Sequence, residues 1–155
     1  DKKYPVHLYI LGTGPLQLEM EKFIRKNELK NVVTMLGYQT NPYKYIRNCD
    51  LFVCSSYAEG FSTATTEALI LGIPVCTVEV SGMREMLGNN EYGIITDNMD
   101  EALYAAIERL LSNPELLKHY KEKAIERGKM FSTEITVKKV EDFFESLVEK
   151  DTGIN

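Results

Sequence analysis

Short apolar runs alternate with helix-forming stretches along most of this chain, and that alternation restricts its fold more than any other feature. Residues 6–11 (VHLYIL) end in Gly12-Thr13-Gly14-Pro15, after which residues 16–24 carry apolar side chains at helical spacing. Residues 32–36 (VVTML) precede Asn41-Pro42, an N-cap and first-turn proline, and the short helical KYIRN. Residues 50–56 (DLFVCSS) lead through a glycine turn to a helix ending at Leu71, where Gly72 supplies the stop before the strand PVCTV at 74–78. A short helix at 81–87, a strand at 92–96 (YGIIT) and a helix from Asn98 to Leu111 complete the series. Five buried strands separated by helical crossovers predict an α/β fold, a doubly wound parallel sheet with helices on both faces. Beyond it, Asn113-Pro114 opens a helix to about Lys129, and Ser132 caps an amphipathic one bearing Val140, Phe143, Phe144 and Leu147.

At 155 residues the chain is read as one domain, 1–155, and 44% hydrophobic with 26% charged residues is the composition of a folded protein. The first strand lies very near the N-terminus, so an earlier strand–helix unit is expected to be missing. A net charge of −5 gives no broad cationic surface, which excludes nucleic acid as the expected partner. No apolar run approaches the roughly 18 residues of a membrane span, and the opening does not read as a signal peptide. A cytoplasmic location is expected. Cys49, Cys54 and Cys76 are odd in number and lack metal spacing, so they read as buried free thiols.

In sheets of this kind ligands sit at the carboxyl ends of the strands. Gly12 and Gly14 let backbone approach a ligand after the first strand, although the pattern runs Gly-x-Gly-x-x-Gln and the second strand ends without an acid for a dinucleotide ribose. A nicotinamide enzyme is disfavoured, and a plain strand-to-helix turn is an equal reading of this loop. Glu59-Gly60-Phe61-Ser62-Thr63-Ala64 carries more chemistry. Free N–H groups at a helix start can hold phosphate or sugar oxygens without a basic side chain. Seven residues separate Glu59 from Glu67, so one carboxylate precedes the helix and the other lies about a turn inside it. Carboxylates accept hydrogen bonds and suit sugar hydroxyls. The bland alternative is that Glu59 merely favours the helix start and Glu67 faces solvent. His7, in the first strand, and His119, in a charged helix segment, read as structural or solvated. Residues 118–129 read as a solvated helix face.

Ordered motifs run nearly end to end: Gly12-Thr13-Gly14-Pro15, Val33-Thr34-Met35-Leu36-Gly37, Cys49 to Ser56, Glu59-Gly60-Phe61, Glu67-Ala68, Gly72-Ile73-Pro74-Val75, Gly82 with Glu85, and Tyr92-Gly93. Together they resemble the nucleotide-binding, C-terminal domain of group 1 glycosyltransferases of the GT-B fold, most of all those that build capsular or other cell-surface polysaccharide. The resemblance implies that Glu67 holds the ribose of a nucleoside diphosphate sugar and that Glu59, the catalytic candidate, lies beside the donor sugar. It implies that backbone N–H groups of Gly60, Phe61 and Ser62 contact sugar hydroxyls and those of Thr63 and Ala64 the diphosphate, with the base near Tyr38 and Gln39. The activity implied is metal-independent, retaining transfer of a hexose, with UDP the favoured nucleotide, to a glycan or lipid-linked sugar acceptor.

The departures are as specific. The arginine and lysine that the family places on the diphosphate come from a segment before Asp1, and the acceptor-binding N-terminal domain is likewise absent from this sequence, so the chain alone is expected to be inactive. The full enzyme is expected in the cytoplasm or peripherally at the inner membrane face. A non-catalytic nucleotide-sugar binding module and, further back, a GT-B-type epimerase are the competing readings. The apolar face of the last helix is expected to pack on its own domain or to promote self-association.

Overall fold

The computed structural model describes residues 4–152. Its elements run β1 (Leu8–Leu11), α1 (Gln17–Lys26), a single 3-10 turn (Leu29–Asn31), β2 (Val33–Gly37), α2 (Tyr43–Ile46), β3 (Phe52–Cys54), α3 (Thr63–Ile70), β4 (Val75–Val78), α4 (Met83–Leu87), β5 (Ile94–Thr96), α5 (Asp100–Ser112), α6 (Pro114–Lys129) and α7 (Thr133–Thr152). Strands and helices alternate as expected, and every strand pair is parallel. β2 keeps its five residues one position later, and the other strands are shorter than the apolar runs that mark them, because the flanking residues turn into the connecting loops.

The chain divides into two compact units, Asp1–Lys44 and Tyr45–Asn155. In the first, β1 pairs with β2 through the α1 crossover, with Leu8 opposite Val33 and Leu11 opposite Gly37. No residue of α1 is fully buried, and Leu16, Leu18 and Phe23 are all more than half exposed. His7 ends just before β1, exposed, with its Nε2 2.8 Å from Thr34 Oγ1.

In the second unit the sheet order is β3-β4-β5. All four residues of β4 are buried. Successive side chains of a strand point to opposite faces, so Val75 enters one core and Cys76 the other. The first core gathers Ala68, Leu69, Met83, Met86 and Leu87 from α3 and α4 together with Ala124 of α6. The second gathers Ile94 with Ala106 and Leu110 of α5. A sheet covered on both faces is what near-continuous apolar strands require.

The caps follow the sequence in part. Asn113 Oδ1 accepts the Leu116 N–H at 3.0 Å, with Pro114 in the first helical turn. Ser132 Oγ accepts from Ile135 N at 3.3 Å at the start of α7. Gly72 ends α3 with φ +71°, where an L side chain would be strained. Asn98 is a correction: α5 begins after Met99, whose carbonyl takes the Leu103 N–H, and the Asn98 side chain donates instead to Ser56 O at 3.4 Å.

Ile135, Val137, Val140, Phe143, Phe144 and Leu147 of α7 are each at least 40% exposed. Among the described residues no helix is long and apolar enough to cross a membrane.

Candidate functional site

The segment from β3 into α3 holds most of the residues singled out in the sequence. After Cys54 the chain turns through Ser55 to Phe61, and the carboxylate of Glu59 accepts a hydrogen bond from Ser56 Oγ at 2.7 Å. That bond, with the Asn98 side chain on Ser56 O, ties the loop at two points. Ser62 then caps α3. It is almost fully buried, and its Oγ accepts from Thr65 N at 3.3 Å and from Thr65 Oγ1 at 3.1 Å, while its carbonyl takes the Thr66 N–H at 3.1 Å. Thr65, Ala68 and Leu69, three and four residues apart, turn inward and fix the helix on the core.

Capping satisfies the third N–H of α3 and leaves the two before it. Among the described residues, no protein group accepts from the N–H of Gly60, Phe61, Thr63 or Ala64. Gly60, Thr63 and Ala64 are exposed, as is Phe61 at 56%. A helix start that presents unsatisfied donors to solvent is suited to an anion or to carbohydrate oxygens. Glu67 stands in the second turn of α3 and is half-buried, so Glu59 and Glu67 flank this helix start in the chain as the sequence predicts.

Gly82 shapes the same loop from the other side. It caps α4 with φ +81°, and a Cβ on it would lie 2.5 Å from Gly60 O. Only glycine allows this approach. Three residues earlier, Glu79, which follows β4, pairs with Arg84 at 2.6 Å, and Arg84 also donates to Asn89 Oδ1 at 3.2 Å.

The remaining predicted site residues lie in the first unit, at the carboxyl ends of β1 and β2. Gly12, with φ +107°, donates its N–H to Gly37 O at 2.8 Å, which joins the two loops there. Neither Gly12 nor Gly14 has protein atoms within 4 Å of where a Cβ would stand. Tyr38 is 75% exposed, and the Gln39 side chain donates to Leu36 O at 2.7 Å. The structure thus brings the Gly12 loop and the Tyr38–Gln39 loop together within the first unit, and Glu59 through Glu67 within the second.

Two of the cysteines are buried and one is half-buried, all three as free thiols. Burial pushes the Cys76 thiol up to about 12, and burial and then the neighbouring Asp50 raise that of Cys49. Neither is a poised nucleophile. Among the described residues no three His, Cys, Asp or Glu side chains gather closely enough to hold a metal ion.

Arg127 is the residue that the sequence reading missed. It belongs to the segment expected to be a solvated face, yet it turns onto the core side of α6. Its Nε donates to Met86 O at 2.7 Å, another guanidinium nitrogen donates to Glu85 O, and its Cζ lies 5.1 Å from the Tyr92 ring centroid and 5.2 Å from that of Phe131. The signal was present in Gly128. A glycine inside an otherwise good helix marks a close approach, and a Cβ there would lie 2.8 Å from Leu69 C and 2.9 Å from Ile70 Cα.

A parallel α/β unit whose helix start presents unsatisfied N–H donors between two carboxylates can hold an anion or sugar oxygens. Comparison with known proteins gives its family. Residues 1–127 match the family "Glycosyl transferases group 1", and the chain belongs to that family. It is 36% identical over 131 residues, 83% of its length, to a Campylobacter jejuni enzyme, N-acetylgalactosamine-N,N'-diacetylbacillosaminyl-diphospho-undecaprenol 4-alpha-N-acetylgalactosaminyltransferase, of which it covers 36%. With the Staphylococcus aureus capsular polysaccharide biosynthesis glycosyltransferase CapM it shares 28% identity over 160 residues, covering 98% of this chain and 41% of that one. Among solved structures, a mutant of S. aureus TarM in complex with fondaparinux, alpha-GlcNAc-glycerol and UDP superposes with TM-score 0.78 at 27% identity, over 90% of this chain and 29% of that one. The chain therefore spans well under half the length of these relatives.

Proposed function

We propose that this chain is the donor-binding part of a retaining glycosyltransferase, one that moves a hexose from a nucleoside diphosphate sugar to a glycan or lipid-linked acceptor in polysaccharide biosynthesis. The observation that carries the reading is the start of α3, where four exposed or loop N–H groups without protein acceptors lie between Glu59 and Glu67, in a chain of this family. The reading rests on the second unit alone.

The N–H groups of Thr63 and Ala64 take the diphosphate, and those of Gly60, Phe61 and Ser62 the sugar hydroxyls. Glu67 accepts from the ribose hydroxyls. Glu59, already oriented by Ser56, stands beside the donor sugar. Breaking the bond between the anomeric carbon and the diphosphate moves negative charge onto the leaving group. Preorganised N–H donors aimed at that charge lower the barrier, because they need no reorganisation as the bond breaks. The reaction asks more for this stabilisation than for a strong base, and a divalent cation is not required for it. UDP is the favoured nucleotide, in keeping with the UDP named in the TarM complex.

The test is calorimetric titration of UDP and of GDP, then of their hexose conjugates, with EDTA present. The expected result is saturable UDP binding at about 0.1–1 mM, at the weak end of the affinity scale. A folded protein that ignores both nucleotides at several times that concentration overturns the reading.

A further inference from the structure

α4 is short, and its last carbonyls have no partner inside the helix. Arg127 supplies one. Its Nε donates to Met86 O at 2.7 Å, a second nitrogen to Glu85 O, and Nη1 lies 3.0 Å from Met130 Sδ. Its guanidinium carbon lies over the rings of both Tyr92 and Phe131, just over 5 Å from each centroid. Planar and forked, with two carbonyl acceptors and two aromatic rings in reach, it pins the end of α4 to α6.

The other end of α4 begins at Gly82, which presses on Gly60 so closely that a Cβ would meet Gly60 O at 2.5 Å. From α3, Thr66 Oγ1 donates to Met86 Sδ at 3.4 Å, so the helix carrying the proposed site touches the residue whose carbonyl Arg127 holds. Gly128, the next residue of α6, lies against the backbone of Leu69 and Ile70 at the end of α3. Two adjacent residues of α6 thus fix the two helices that shape the Gly60 loop.

We propose that Arg127 is a positioning residue for the donor site: by clamping the carboxyl end of α4 it holds Gly82 against Gly60 and keeps the N–H groups of Gly60 to Ala64 aimed at the donor. The inference rests on the assignment of those groups to the donor, and it extends that assignment to a residue that touches no ligand. Lysine keeps the charge but cannot bridge both carbonyls and stack on two rings, while methionine keeps only the bulk.

Arg127→Lys and Arg127→Met are compared with the wild-type protein by amide exchange resolved along the chain and by UDP titration, with melting curves for folding. In Arg127→Met, exchange at the hydrogen-bonded amides of Thr65 and Thr66, which anchor the loop at the start of α3, rises about tenfold relative to α5, and UDP binds about tenfold more weakly, the scale expected when contact groups lose their placement. Arg127→Lys recovers part of both. If the folded variants show exchange that rises evenly across α3 and α5, or bind UDP as the wild type does, Arg127 is merely structural and the proposal fails. Should Arg127→Met not fold, Arg127→Lys decides by the same two criteria. A wild-type protein that does not bind UDP defeats the donor reading, whereas the exchange pattern still decides whether Arg127 positions the loop.

Discussion

Lys123 and Arg127 stand one turn apart on α6 and show what a single side chain decides. Lys123 pairs with Glu126 at 2.9 Å and approaches Glu91 at 3.9 Å, a surface arrangement that contributes little to stability. Arg127 reaches the backbone of another helix instead. The sequence distinguishes them only through Gly128, because alternating charges look alike whether or not one of them turns inward. That Glu59 precedes α3 and Glu67 lies inside it was legible, since a glycine turn before an apolar helix fixes where they fall. Ser56 was not, because a serine's partner depends on loop geometry. Cys76 carries a prediction at this scale. Burial pushes its thiol from the ordinary 9.0 up to about 12, so above pH 9 the unfolded state binds fewer protons than the folded one and stability falls as pH rises. One such group contributes a slope of up to about 1.4 kcal/mol per pH unit. Urea unfolding of wild type and Cys76→Ala between pH 9 and 10.5 should show a shallower decline in the variant, even though the Cys49 thiol is raised in both. Equal slopes would contradict the assignment.

Among the elements, those announced by local chemistry were the easiest to read. Asn113-Pro114 opens α6 as expected, because both the cap and the proline act on the helix that follows them directly. Asn98 misled for the same reason: it is the right residue one position too early, since the extended backbone at Met99 makes that residue the cap and frees Asn98 to reach Ser56. The contact between the start of α4 and the loop before α3 was not readable as a contact, although Gly82 itself stood out. Gly82→Ala tests that contact. Its φ of +81° and the approach to Gly60 O predict a loss of about 2 kcal/mol or more, seen as a lowered melting temperature, together with weaker UDP binding. A variant as stable as the wild type would mean that α4 does not press on the loop.

For the whole molecule, the alternating pattern predicted parallel strands with helices between them, and both are present; the expected burial of every strand holds at β4, whereas Leu8 and Tyr9 of β1 are exposed. The arrangement into a two-stranded and a three-stranded sheet in separate compact units could not be read from periodicity, which records faces and not strand order. Membership of the group 1 glycosyltransferases follows from many motifs in order, each weak alone. In the proposed function the start of α3 binds a nucleoside diphosphate sugar with Glu67 on the ribose. The most direct measurement is UDP titration of wild type, Glu67→Ala and Glu59→Ala at matched folding. Glu67→Ala is expected to lose UDP affinity at least about tenfold, near 1.4 kcal/mol, while Glu59→Ala keeps UDP and loses only the preference for its hexose conjugate. Glu67→Ala binding UDP as tightly as the wild type would contradict the proposed function.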